Sequence, residues 1–264
     1  MSGCRLWVVL LCLLASGVVG NVVQASEETS SPGLIHLASE EWADYTGADG
    51  HGLAWDLMRL IFEPKGVKVL ISTEPYVRAI GLVQRGEADA WVGAYRSDVT
   101  GALYPRWHFD VDHLYALGLA SNPQPTLETL GIYRLAWMRG YRYQNYLPNV
   151  RHYNEIVRRD GILLMLSQSR ADYYIDALSE VKGVQGRAAH PEMFRRSHLL
   201  DLPLYLGFAD NARGRSLLAL YDLRMEELVK SGELRAIFEH WKQPYPFDSL
   251  PTPVPPPVPT HQTY

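Results

Sequence analysis

Apolar and polar positions along residues 34–176 follow two rhythms, one of period two and one of period three to four. Residues 34–38 (LIHLA) form a short apolar run with the length of a buried strand. After the polar stretch 39–52, Leu53, Leu57, Leu60 and Ile61 recur on one helical face, and Pro64 and Gly66 end that helix. Val67, Val69 and Ile71 alternate as a second strand. Val77, Ile80 and Val83 predict a helix over 76–85 that stops at Gly86, and residues 88–95 read as a third strand.

The order then repeats. Residues 133–138 read as a strand, a short helical stretch follows Tyr141, and 150–153 read as another strand. Residues 154–166 are expected to be helical, with Ile156, Ile162, Leu163 and Leu166 as the apolar stripe, and 171–176 close the unit as a strand. The two unit ends, 82–91 and 165–174, share a helix end, a polar break and an Ala-Asp step opening an apolar strand. Strands separated by helices of this length form mostly parallel sheets with right-handed crossovers, so an α/β fold is expected.

Two segments stand outside this rhythm. Residues 1–25 carry a weakly basic start, an apolar run at 6–15 and the small-x-small step Val23-Gln24-Ala25, which together predict a cleavable export signal. No later stretch approaches the ~20 apolar residues of a membrane span, so a soluble, periplasmic mature chain is expected. Both cysteines, Cys4 and Cys12, fall in the leader, leaving no disulfide, thiolate ligand or cysteine nucleophile after cleavage. Cleavage removes only Arg5 among the charged residues, leaving 24 basic against 29 acidic. That mild acidity gives no electrostatic footprint for nucleic acid or an anionic membrane. At the other end, residues 244–264 are dense in proline and read as a solvated, disordered tail.

Topology then locates the chemistry. In open parallel α/β sheets, ligands bind beyond the carboxyl ends of the strands. In the first unit those positions hold Glu41, Trp42 and Tyr45, then Glu74 and Tyr76, then Tyr95 and Arg96. In the second they hold Arg139, Gly140 and Tyr141, then Tyr153, then Asp176. Flat rings plus a few fixed charges are what a cleft for a small polar molecule uses.

The run Gly52-Leu53-Ala54-Trp55-Asp56-Leu57, the signal Gly86-Glu87-Ala88-Asp89, Gly140-Tyr141, the strand 171–176 and the closing segment 231–241 occur in this order. Together they resemble the bacterial extracellular solute-binding proteins of family 3, the polar amino-acid type, over essentially all of residues 34–241. The resemblance implies a two-lobed type II periplasmic-binding fold. It places lobe 1 at 26–116 and 206–243 and lobe 2 at 118–203, with two crossing strands as hinge drawn from 114–120 and 202–209. It also implies two long helices after Asn211 that pack back on lobe 1. By the same resemblance Asp176 meets a ligand ammonium and Trp42 and Tyr76 are ligand-contact aromatics, while Tyr45, Tyr95 and Tyr141 are ligand-contact candidates from their strand-end positions.

The family's Thr-x-x-Arg turn, which grips an α-carboxylate, reads Thr100-Gly101-Ala102-Leu103 here. Arg96 and Arg78 are the candidate replacements, since a guanidinium holds carboxylates bidentately. The departure argues against an ordinary α-amino acid as ligand. Asp56 matches the family pattern but sits in a helix, where a structural role is expected.

The expected protein is a monomeric periplasmic binder of a small polar or charged solute, amino-acid-like or an organic acid, without cofactor. Its expected partner is an inner-membrane ABC permease or a receptor. No metalloprotease run, nucleophile elbow or phosphate loop is present in the sequence. The dispersed histidines, His36, His51 and His108 among them, are expected to hold no metal. Two alternatives remain open. One is a cyclohexadienyl-dehydratase-like enzyme using Glu41, Glu74 or His36; the other is a signalling or scaffold protein on the same fold.

Overall fold

A computed structural model of the chain describes residues 33–248. The expected leader, and the proline-rich tail beyond residue 248, lie outside the described residues. β1 (Leu34–Ser39), β2 (Lys68–Thr73) and β3 (Ala90–Ala94) run parallel in the order β2-β1-β3. α1 (Leu53–Phe62) and α2 (Tyr76–Gln84) are their crossovers. α1 turns Leu53, Trp55, Leu57, Met58, Ile61 and Phe62 inward, so its apolar stripe is broad enough to be covered on two sides.

A second parallel group contains β6 (Leu135–Met138), flanked by β7 (Tyr153–Ile156) and β8 (Tyr173–Ala177). Two long antiparallel strands connect the groups. β5 (Asp110–Leu119) pairs with β8, and β9 (Phe194–Ala209) pairs with β5 along one stretch and with β3 along the next. The two-residue β4 (Ala102–Leu103) also lies on β9. The strand path is therefore β2-β1-β3-β9-β5-β8-β6-β7, two α/β lobes sharing β9. α5 (Ala212–Ser231) returns to the first lobe, where Tyr221 packs against Phe62 and Phe208. α6 (Arg235–His240) follows, and Trp241 Nε1–H donates to Asp56 at 2.9 Å, a structural role for that aspartate. Among the described residues no helix is long and apolar enough to cross a membrane.

Four local expectations are corrected. The strand read at 150–153 starts at Tyr153, and the helix read over 154–166 is only α3 (Ile162–Ser167). β7 is a solvent-facing edge strand, so its side chains carry no alternation that sequence could reveal. What holds it is parallel pairing with β6 and the stacking of Tyr153 on Trp137, ring centroids 4.4 Å apart. A further helix, α4 (Leu178–Gly186), follows β8 directly, where sequence analysis identified none. Of the two long helices expected after Asn211 only α5 is long, because Gly232 terminates it in a left-handed conformation. Finally, the start of the expected tail is packed. Phe247 is buried and stacks on His108 at 5.0 Å, and Tyr245 lies under the Arg235 guanidinium.

Candidate functional site

The carboxyl ends of β1, β3 and β8, and the loops after them, face one another between the lobes. Trp42 and Tyr45 follow β1, Tyr76 opens α2, Tyr95 follows β3, and Tyr141 and Tyr143 follow β6. With Gly93, Asp112, Asp176, Ser179, Glu180 and Leu204 they line a partly open cavity of about 40 Å³. That is room for about three water-sized spheres, the dimensions of a ligand headgroup. Outside Tyr76 a wider groove of about 690 Å³ is lined by Glu40, Glu41, Glu74, Arg78, Met138 and Arg139 among others.

Gly93 is needed here. It takes φ +86 at an irregularity in β3, and a Cβ on it would lie 2.5 Å from the Trp42 ring. The indole therefore lies directly on the strand backbone, and the Tyr76 hydroxyl donates to the Gly93 carbonyl at 3.1 Å. The lobes touch through this wall. Trp42 Nε1–H donates to the Tyr141 hydroxyl at 2.9 Å, Tyr76 and Tyr141 meet edge to face at 5.3 Å, and Gly140 packs its bare Cα against Val77.

The charged centre of the site was not identified from sequence. Arg159, in the loop between β7 and α3, turns inward with its side chain 14 % exposed. Its guanidinium lies 3.2 Å from Glu40 of the first lobe, 3.0 Å from Asp176 and 3.1 Å from Glu180 of the second. It also donates to the Tyr141 hydroxyl at 2.8 Å and to Tyr174 at 3.1 Å, and Tyr174 donates to Asp176. The other Asp176 oxygen accepts from the Ala177 N–H at 2.9 Å, at the start of α4. Asp176 is thus held by a helix start and a guanidinium together.

Carboxyl groups outnumber cations. Burial raises Glu40, an effect that Arg159 partly offsets, and burial pushes Glu180 up to about 7 and Asp112 to about 6. Asp112 accepts from the Tyr95 hydroxyl at 2.6 Å. Beneath the cavity Asp110 is pushed by burial to about 7 and faces Tyr45. Burial opposes the charge on Arg159, but Asp176, Tyr141, Tyr174 and Glu180 more than offset it and keep the guanidinium protonated. No lysine, arginine or histidine is among the residues lining the cavity.

Six of the eight residues expected at the site are brought together: Trp42, Tyr45, Tyr76, Tyr95, Tyr141 and Asp176. The two arginines are not. Arg96 turns away to donate to the carbonyls of Pro105 (2.8 Å) and Arg106 (3.1 Å) and lies over Tyr205. Arg78 is two-thirds exposed on the outer groove, paired with Glu74 at 3.2 Å. Arg96 was placed by its position past a strand end and Arg78 by its position at the start of the second helix, and neither says where a long side chain points. The enzyme candidates do not line the cavity either. Glu41 and Glu74 lie on the outer groove, and His36 is bonded to Ser72 and the Glu87 carbonyl. Glu40, Glu180, Tyr143 and Arg159 complete the site, and only the adjacency of Glu40 to the β1 end was a signal for any of them.

No protein-family model matches the chain. No curated protein matches it. Solved structures do. The substrate-binding protein of an amino-acid ABC transporter superposes with TM-score 0.64 at 16% identity, covering 80% of this chain and 100% of that one. A histidine kinase sensor domain similar to periplasmic binding proteins gives TM-score 0.68 at 16% identity, over 80% and 96%. An ancestral amino-acid-binding protein, described as a precursor of cyclohexadienyl dehydratase, gives 0.60 at 15% identity, over 79% and 95%. The likeness covers about four-fifths of this chain and nearly all of each neighbour, and the chain therefore has the two-lobed type II periplasmic-binding fold.

Proposed function

We propose that the protein is an exported solute-binding protein that takes a small organic cation, an amine or guanidinium compound, between its lobes. One observation carries this reading: Glu40, Asp112, Asp176 and Glu180 converge on the cleft against a single cation, and that cation is the protein's own Arg159. Six indole and phenol rings stand around the same space, and aromatic faces attract ammonium groups as carboxylates do. An organic acid would meet carboxylates with no cationic side chain on the cavity wall to receive it. The absence of an arginine in the Thr100 turn supports the same choice, because an α-carboxylate would lack its partner.

Arg159 bridges Glu40 of one lobe to Asp176 and Glu180 of the other, so a ligand cation would compete with it for the same oxygens. Delivery to an ABC permease is one fate of such a complex. Presentation to a receptor is the other, and the sensor-domain likeness supports it.

Thermal melting of the exported protein against three ligand panels tests the reading: amines and guanidinium compounds, neutral amino acids, and organic acids. The cationic panel is expected to raise the melting temperature; a ligand at about 100-fold over its Kd adds about 2.7 kcal/mol. Stabilisation by acids with none by cations would overturn it. Turnover of prephenate or arogenate in the same preparation would replace binding with catalysis.

A further inference from the structure

The fold brings together a set of metal-type donors that is separate from the cleft. His113 is on β5, and His198 and Asp201 are on β9, the two strands that run between the lobes. His113 Nδ1 and His198 Nε2 each lie 2.7 Å from the same carboxylate oxygen, Asp201 Oδ1. One donor atom from each residue falls within 4.8 Å of the other two. We propose that His113, His198 and Asp201 bind a divalent transition-metal ion of the zinc class.

The placement has a specific structural cause. Residues three apart on a regular strand point to opposite faces, so His198 and Asp201 would diverge. Here the register shifts: Leu114 pairs with Leu200, and Tyr115 pairs with His198, leaving Leu199 as the extra residue of a bulge. Leu199 and Leu200 both turn toward the interior, and the strand resumes with Asp201 on the same outer face as His198. His113 lies directly opposite Asp201, and Tyr115 packs its ring against His198 at 5.2 Å, fixing the imidazole plane.

The chemistry selects the ion. Two imidazole nitrogens and one carboxylate oxygen suit zinc, with a fourth position left for water. Calcium and magnesium prefer all-oxygen shells, so they are the negative controls. No thiolate competes, since both cysteines lie in the expected leader. A metal here would replace the two hydrogen bonds to Asp201 and pin β5 to β9 at the bulge, on the connection about which the lobes would move.

The test is calorimetric titration of the chelator-stripped exported protein with Zn²⁺, and with Ca²⁺ and Mg²⁺. One Zn²⁺ per chain is expected, with no saturable binding of the other two ions. His113→Ala and His198→Ala should each weaken Zn²⁺ binding by about tenfold or more, the effect of losing about 1.4 kcal/mol or more. His190→Ala, at an exposed imidazole paired with Glu192, should leave it unchanged. Asp201→Asn keeps the side-chain shape and removes the charge, giving a second reading if an alanine variant folds poorly. No saturable Zn²⁺ binding, or wild-type affinity in both histidine variants, would overturn the assignment.

Discussion

At Arg159 a guanidinium leaves water and meets three carboxylates, so its removal should cost far more than a surface ion pair. Arg159→Met leaves Glu40, Asp176 and Glu180 facing one another, with an expected loss of about 3–5 kcal/mol at neutral pH. The loss should shrink when the carboxyls are protonated or when low concentrations of guanidinium or methylguanidine are added. Melting curves across pH and guanidine concentration read this directly; an unchanged melting temperature would show that the bridge does nothing for the fold. The same residue shows why part of the site was not legible. The strand-end rule reaches Trp42, Tyr45, Tyr76, Tyr95, Tyr141 and Asp176, because those side chains leave the backbone where the sheet ends. Arg159 lies within 154–166, a stretch that reads as helix, and nothing in its neighbours' periodicity shows that this segment is a loop turned inward.

Single elements carry their own constraints. β3 is buried along its whole length, and at Gly93 its backbone passes directly beneath an indole ring. Gly93→Ala would need both a positive φ and a displaced Trp42, so a destabilisation on the order of 1–3 kcal/mol is expected. It should be accompanied by a change in tryptophan fluorescence, since Trp42 must shift; retention of both the stability and the spectrum would contradict the packing described. The strands and crossover helices of the first lobe were readable because each buries one face or both, which imposes period two or period 3.6 on the sequence. β7 escaped because an exposed edge strand imposes neither. Its place is set by pairing with β6, a partner 18 residues away in the register.

Across the whole molecule the buried carboxyls set the response to pH. Burial holds Asp98 and Asp112 near 6 and Asp110 and Glu180 near 7, all above their unfolded values. Each group therefore binds its proton more tightly in the folded chain. Its contribution to stability is complete below about pH 4 and is lost as the pH rises through 6 and 7. Over that window each group costs about 1.4 kcal/mol per pH unit. The melting temperature should accordingly be higher at pH 5 than at pH 8, and Asp110→Asn should flatten the profile. A melting temperature that rises from pH 5 to pH 8 would contradict this.

The sequence by itself determined the α/β class, the order of most strands and helices, and the ring-rich strand ends from which a cleft is built. Those properties are local, because burial of a face and the end of a strand both leave a pattern within about ten residues of chain. Tertiary structure alone decided which charges share a space. Glu40, Arg159, Asp176 and Glu180 are separated by as many as 140 positions, and their meeting depends on the lobes facing each other and on one loop folding inward. The bulge at Leu199 is the same kind of decision. Shifting one residue changes which face a side chain occupies, so His113 meets the His198 and Asp201 pair of the other strand only once β5 and β9 have paired at the bulge.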